Sequence, residues 1–296
     1  MNGWHIGIIG GSGLYDVAGI EGGEWVEVAS PWGAPSDAIF TGRLGHVRVS
    51  FLPRHGRGHR ISPSELNARA NIDCLKRLGV TDVLSVSSVG GLQEERAPGT
   101  FTIVDQFIDR TKGRPSSFFG TGMVAHVSMA DPVCPRLSVL AADAAEAAGA
   151  TVQRSGTCLV MEGPQFSTRA ESQLYRSWGC DVIGMTAMPE ARLAREAELC
   201  YASVAMVTDY DCWHEDHGAV DVAAILAVLA ANAGTAKAMI AALPGLLSSL
   251  TAPCPCGCDR ALDHALMTAP AQRDPAVLAR LDAVAGRLLF PAPETR

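Results

Sequence analysis

Short apolar runs that end in small or charged residues recur along this chain, separated by stretches of helical periodicity. Ile6 to Ile9, Val83 to Val89, Thr157 to Met161, Asp181 to Gly184 and Ala202 to Val207 each read as a buried strand. Trp25 to Ala29, Ala38 to Gly42 and Val47 to Leu52 are shorter β-like runs split by Pro31, Gly33 and Pro35, which predicts an antiparallel or mixed section of sheet. Phe101 to Phe107 reads as one more strand, and the Gly-, Pro- and Ser-rich stretch after it, to about Cys134, as a long loop carrying His126.

Helix signals fall between these runs. Ser62-Pro63-Ser64-Glu65 has the form of a capping box with Pro at the first helical position, which predicts a helix from there to about Leu78, stopped by Gly79. Pro135 to Ala148 gives a second helix, Thr168 with Glu171 caps a third, a fourth runs to about Glu198, and an Ala-rich helix spans roughly Val220 to Leu243. Strands alternating with helices imply an α/β fold: a single domain with a mixed, mostly parallel central sheet flanked by helices. The domain is expected over 1–250, with a cysteine-containing tail over 251–296 whose Pro275 to Leu289 forms one amphipathic helix.

Composition changes this picture little. In 296 residues, 48% hydrophobic and 19% charged content suits a large core. A net charge of −7 without a basic block argues against nucleic acid and anionic membrane as partners. Met1 to His5 lacks the basic and apolar regions of a signal peptide, and the longest apolar run, Val222 to Ala231, is half a membrane span, so a soluble protein is expected. Nine cysteines, an odd number, six of them scattered through regular structure, suit reduced thiols in the cytoplasm.

The chemistry gathers where strands end. Gly10-Gly11-Ser12-Gly13 lets backbone N–H groups converge on an anion, whereas the dinucleotide fingerprint fails because Asp16 stands at its third glycine position. Pro53-Arg54-His55-Gly56-Arg57-Gly58-His59-Arg60 offers a guanidinium fork and a His donor, and Ser87-Ser88-Val89-Gly90-Gly91 and Thr186 add small donors. Asp209 and Asp211, spaced i, i+2 after an apolar strand, are expected on the same side of an extended segment, although a turn-capping role is the plainer reading of an isolated Asp-x-Asp. An anion site beside two hydrogen-bonding acids suits phosphorolysis of a purine nucleoside, in which phosphate attacks the anomeric carbon while the leaving base takes a proton or hydrogen bond at N7. Asp109-Arg110 reads as a structural ion pair. Cys254-x-Cys256-x-Cys258 with His264 leaves zinc, a redox-labile or disulfide pair, and a plain loop all open, because i, i+2 ligands lack the C-x-x-C turn.

Six motifs in order, Ile6-Gly7-Ile8-Ile9-Gly10-Gly11-Ser12-Gly13-Leu14, Arg54-His55-Gly56-Arg57, Pro98-Gly99 with Asp105 to Thr111, Glu162 to Glu171, Met185-Thr186 with Pro189-Glu190, and Thr208 to Trp213, resemble the trimeric purine nucleoside phosphorylase family over about residues 5 to 245. Within it they look most like the members that cleave 5′-methylthioadenosine to adenine and 5-methylthioribose 1-phosphate. The resemblance implies a nucleoside phosphorylase fold, a homotrimer with shared active sites, inorganic phosphate as co-substrate, no cofactor and no metal in the site. It assigns phosphate to Ser12, Arg54, His55, Ser87 and Thr186, and base and ribose to Ser88, Phe166, Ser167 and Met185. Asp209 becomes the acid at N7 and Asp211 the acceptor of the exocyclic amino group. Val220, Val222 and Ile225, with His126 of a neighbouring subunit, surround the 5′ substituent.

Gly184 stands where those members usually carry Asn and their 6-oxopurine relatives Gly, and Val89-Gly90-Gly91 departs from the usual pattern too. The Asp pair is of the adenine type. A 5′-deoxy- or 5′-halo-adenosine phosphorylase and a 6-oxopurine phosphorylase are the nearer alternatives, a non-catalytic nucleotide-binding protein the more distant one.

Overall fold

The computed structural model describes residues 4–11, 14, 16–214, 222–247 and 254–290. Its strands, in chain order, are β1 (His5–Gly10), β2 (Ile20–Val26), β3 (Ile39–Leu44), β4 (Val47–Pro53), β5 (Asp82–Gly91), β6 (Thr100–Val104), β7 (Gln106–Asp109), β8 (Thr151–Gln153), β9 (Thr157–Val160), β10 (Val182–Gly184) and β11 (Cys200–Asp209). The helices are α1 (Ala68–Arg77), α2 (Pro135–Ala147), α3 (Arg169–Ser177), α4 (Ala187–Glu196), α5 (Val222–Leu247), α6 (Pro275–Arg280) and α7 (Gly286–Leu289).

One mixed sheet runs β2-β3-β4-β1-β5-β10-β9-β7, and β11 pairs with β5 and β6 outside that path. The expected antiparallel section is β2-β3-β4, while β1, β4, β5 and β11 are joined by parallel pairings. Alternation along the central strands splits the core in two. Ile6 and Ile8 of β1, Leu84 and Val86 of β5, and Val204 and Met206 of β11 pack on one face with α2 and α5. Ile9, Val83, Val89, Tyr201, Ala205 and Val207 pack on the other with α1 and α4. Strands covered on both faces need no polar side, which is why β11 reads as a nearly continuous apolar run up to Val207, with Ser203 its one polar residue there.

Four expectations are corrected. The residues 63–65 form only a 3-10 turn, and α1 starts at Ala68, capped by Asn67, whose side chain accepts from Ala70 N. Asn67 also reaches the carbonyl of Trp32, so the cap is fixed by a tertiary contact that Ser62 does not have. The single strand over 101–107 is two: β6 pairs with β11 and β8, whereas β7 pairs with β9. Thr151–Gln153 adds a short strand with no apolar run to signal it. The expected amphipathic helix over 275–289 is two short helices, α6 and α7, with Leu281, Val284 and Ala285 between them buried in the core.

Residues Ala227–Leu247 of α5 are long and apolar enough, by length and composition, to cross a membrane. Their stripe Ala236, Met239, Ile240, Leu243 and Leu247 is buried against the α2 side of the core, and Asn232 donates to the Val207 carbonyl at 3.0 Å.

Candidate active site

Parallel pairing of β1 with β4 and of β5 with β11 brings several strand ends to one edge of the sheet, the place where open α/β sheets bind ligands. Arg54 N donates to Gly10 O at 2.9 Å, so the first glycine loop and the Arg54-His55 loop are joined. Across the sheet, Ser87 Oγ and Thr186 Oγ1 lie 3.5 Å apart although 99 residues separate them in sequence. Ser88, exposed, follows at the end of β5. Ser12 and Gly13 lie outside the described residues.

Arg54 is buried, and its guanidinium points into the protein. Nε donates to Glu190 Oε1 at 2.7 Å and Nη2 to Glu190 Oε2 at 3.3 Å, while Nη2 also reaches Ser85 Oγ and Ile9 O, and Nη1 reaches Val86 O. The fork that the sequence offers to an anion is thus occupied by a carboxylate. Glu190 is itself held by Ser85 Oγ and the Tyr201 hydroxyl. This network welds β1, β4, β5, α4 and β11 behind the loops; Arg54 and Glu190 both stand in sequence motifs, but their pairing does not show in the sequence.

His55 sits beside it with Nδ1 2.8 Å from the Ile61 carbonyl. A carbonyl only accepts, so Nδ1 carries the proton and Nε2 is left as the acceptor in the neutral ring. Burial, with the Arg54 and His59 charges adding, pushes its pKa below the ordinary value and keeps the ring neutral. The His59 ring stacks on it with centroids 4.2 Å apart.

At the end of β11 the two carboxylates meet for a reason other than the expected one. The pairing with β5 shifts register between Val207 and Asp209, the strand stops at Asp209, and Asp211 has φ of 53°, so the segment is not extended. A turn holds the pair together: Asp211 N donates to Asp209 Oδ1 at 2.8 Å, an Asx turn, and Asp tolerates the left-handed conformation. Asp209 thus fills the turn role that its spacing suggests. Thr208 Oγ1 donates to Asp209 Oδ2 at 2.7 Å. Asp211 Oδ2 is buried without a hydrogen-bond partner among the described residues, as is Ser172 Oγ. Burial raises the Asp211 pKa first and the neighbouring Asp209 charge adds to it; the Ser172 hydroxyl, which makes no hydrogen bond of normal geometry to this carboxylate, lies close enough to oppose the rise.

The departures from the family pattern cluster around this pair. A Cβ on Gly90 would stand 3.2 Å from Asp209 Oδ1 and 3.3 Å from the Asp211 Cβ, closer than packed carbons rest. One on Gly184 would meet Val89 Cγ1 at 3.2 Å, so Val89 and a side chain at 184 compete for one space.

Phe166 is 79% exposed just ahead of α3, a large ring with little packed on it. Ser167 Oγ lies 3.3 Å from Met161 Sδ, and the Ser167 carbonyl faces Cys212 Sγ at 3.3 Å, tying this loop to the Asp211 turn. The Met185 carbonyl accepts from Arg114 Nη1 at 2.6 Å, and Arg114 Nη2 binds the Glu162 carbonyl. Arg114 is a positioning residue the sequence does not reveal, since a lone Arg in a long loop carries no spacing signal. Asp109 pairs with Arg192 at 3.1 Å and not with Arg110, whose guanidinium lies over the Trp178 ring. His126 is exposed, on a segment held by the tail through the Ala125–Leu266 bridge and by its own N–H to Ala265 O. Val220 lies outside the described residues, as do the side chains of Val222 and Ile225. The tail cysteines separate: Cys256 is exposed, whereas the Cys254 and Cys258 sulfurs lie with those of Cys134 and Cys200.

Fold and site are those of a nucleoside phosphorylase, and the chain belongs to the Phosphorylase superfamily, whose sequence pattern matches residues 5–243. Among its relatives, S-methyl-5′-thioadenosine phosphorylase of Cereibacter sphaeroides is 65% identical over 284 residues, covering 96% of this chain and 98% of the relative. The protein of that name from Bradyrhizobium diazoefficiens is 60% identical with the same coverage. A solved methylthioadenosine phosphorylase from an Antarctic soil metagenomic library superposes with a TM-score of 0.89 at 46% identity, over 96% of this chain and 99% of that one. Methylthioadenosine phosphorylase of Schistosoma mansoni in complex with adenine gives a TM-score of 0.77 at 36% identity, over 84% and 93%.

Proposed function

We propose that this chain phosphorolyses 5′-methylthioadenosine to adenine and 5-methylthioribose 1-phosphate. The single observation that carries the reading beyond its relatives' names is Asp211 Oδ2, buried beside Asp209 and without a hydrogen-bond partner among the described residues. A buried acceptor without a donor costs about 1–3 kcal/mol, and an exocyclic amino group from adenine supplies the missing hydrogen. A 6-oxo base presents an oxygen there instead and leaves two acceptors facing each other.

The remaining roles are those that the family resemblance assigns. The hydroxyls of Ser87 and Thr186 and the Arg54-His55 loop take the phosphate, with Ser12 assigned to it by the family resemblance; Arg54, its charge paired with Glu190, braces that loop. A phosphate oxygen attacks the anomeric carbon as the bond to N9 breaks, and the bond's electron pair leaves with the base. Asp209, entering the step in its acid form, gives its proton to N7 and is left as the carboxylate, to be reprotonated from solvent, so that adenine departs neutral. The phosphate stabilises the ribosyl cation between the two groups by charge. Phe166 covers the base with its exposed ring, Met185 and the neighbouring Ser88 and Ser167 hold base and ribose, and Val220, Val222 and Ile225 enclose the methylthio group. His126 reaches the site of an adjacent copy in a homotrimer, a reading supported by its exposure on a loop fixed by the tail. The reaction needs no cofactor, and the enzyme works in the cytoplasm.

The test is side-by-side turnover of methylthioadenosine, 5′-deoxyadenosine, a 5′-halo analogue, adenosine and inosine with phosphate. Phosphate-dependent adenine release, fastest from methylthioadenosine, is expected. Hypoxanthine release from inosine with the adenine nucleosides inert would overturn the specificity, and no phosphate-dependent release from any of them would overturn the activity.

A further inference from the structure

We propose that Cys134, Cys200, Cys254 and Cys258 bind one structural zinc ion, which fastens the C-terminal segment to the end of the sheet opposite the active site. All four residues are buried, and their sulfur atoms lie within 4.8 Å of one another. Four thiolates about 2.3 Å from a tetrahedral zinc stand roughly 3.8 Å apart, the size of this cluster. All four are free thiols; Cys134 Sγ and Cys254 Sγ are 3.5 Å apart, well beyond the ~2.05 Å of a disulfide.

Each ligand is held by a fixed element. Cys134 is the N-cap residue of α2, with its N–H on the Tyr201 carbonyl, and Cys200 opens β11 with its N–H on the Thr81 carbonyl. Cys254 and Cys258 flank a turn in which Gly257, at φ of 71°, donates to the Cys254 carbonyl. Three residues separate these two cysteines, within the range of zinc-ligand turns. The i, i+2 spacing that spoke against zinc in the sequence came from Cys256, which is exposed and takes no part.

Charge points the same way. Zinc displaces four thiol protons and leaves the site with a net charge of −2. Arg136 Nε lies 3.4 Å from Cys254 Sγ and Arg195 Nη1 3.9 Å from Cys258 Sγ, cations that donate to thiolate sulfur. An all-thiolate set with no open position suits a structural rather than a catalytic metal. Position agrees: Cys200 and Asp209 are the two ends of β11, about 30 Å apart at ~3.3 Å per residue. The metal would hold the tail that bonds to the 124–126 segment and so supports the loop carrying His126.

Metal analysis of the full-length protein, purified with a reductant from zinc-replete cells, tests this independently of any nucleoside activity. One zinc per chain is expected. Replacing it with cobalt should give thiolate-to-cobalt charge-transfer bands and the intense visible bands of tetrahedral cobalt. Cys258→Ser should lower zinc retention at least tenfold, while Cys256→Ser and Cys74→Ser keep it. If Cys258→Ser fails to fold, the wild-type metal content and cobalt spectrum decide. Wild-type protein without zinc, stoichiometric iron in its place, two disulfides among the four cysteines, or full zinc retention in a soluble Cys258→Ser protein would each overturn the proposal.

Discussion

In the proposed reaction Asp209 and Asp211 divide one task between proton transfer and recognition, and the division is testable at each residue. Asp209→Asn should lower turnover roughly 10²-fold with a smaller change in KM, because it removes the proton handled at N7; near-normal turnover in a steady-state assay would remove that role. For Asp211 the raised pKa gives a pH prediction. As the carboxylate it accepts from a 6-amino group; once protonated it donates to a 6-oxo group. Preference for adenine over hypoxanthine nucleosides, measured as a ratio of kcat/KM, should therefore fall on acidification, beginning above the ordinary Asp value of about 4. Asp211→Asn should show the relaxed preference at every pH, and an unchanged ratio in that variant would count against the assignment. The sequence revealed both acids by their position after an apolar run. It did not reveal that a turn keeps them together, because the i, i+2 rule holds only while the backbone is extended, and Asp211 has left the strand.

Arg54 carries the lesson to the level of elements. Its position after β4 made it an anion ligand on sight, but Glu190, 136 residues later, takes the guanidinium fork. The resulting pair is an internal brace joining strands and α4. Breaking a buried pair leaves an uncompensated charge, so Glu190→Gln should cost about 3–5 kcal/mol of unfolding free energy by denaturant titration. A loss under 1 kcal/mol would mean that Arg54 finds other partners and that the brace is dispensable. Helix ends show the same pattern. The Thr168–Glu171 box was legible because both its members are local, and the structure contains it. The Ser62–Glu65 box was not realised as the start of α1, because Asn67 is engaged with the Trp32 segment and fixes the helix start there.

At the scale of the whole molecule, buried ionisable groups make stability depend on pH. Glu196 accepts from the Phe118 N–H and the Ser117 hydroxyl, yet burial raises its pKa from 4.5 to about 7. Between those values the folded chain keeps a proton that the unfolded chain has released, so this group's contribution is full below about pH 4.5 and is lost as pH rises to about 7. The loss is on the order of 3 kcal/mol. Glu196→Gln, whose amide oxygen can accept the Phe118 N–H while its NH2 donates to the Ser117 hydroxyl oxygen, should flatten the stability profile across that window; an unchanged slope in chemical denaturation from pH 5 to 8 would disprove the assignment. The tail also belongs to this scale. Leu262, Ala265, Leu281, Val284 and Ala285 enter the same core as α1 and α4, and Cys254 and Cys258 enter the other.

By itself the sequence determined whatever depends on neighbours along the chain: buried strands as apolar runs, local caps, glycine loops at strand ends, and the order of motifs that marks the superfamily. Only the tertiary structure decided which distant groups meet. It gave Arg54 to Glu190, set Ser87 beside Thr186, assigned Asp109 to Arg192, and drew two of three closely spaced tail cysteines to partners at 134 and 200 while leaving Cys256 in solvent. The physical reason is that periodicity and propensity act over a few residues, whereas pairing of charges, sulfurs and hydroxyls is fixed by the register of parallel strands, which no local spacing encodes.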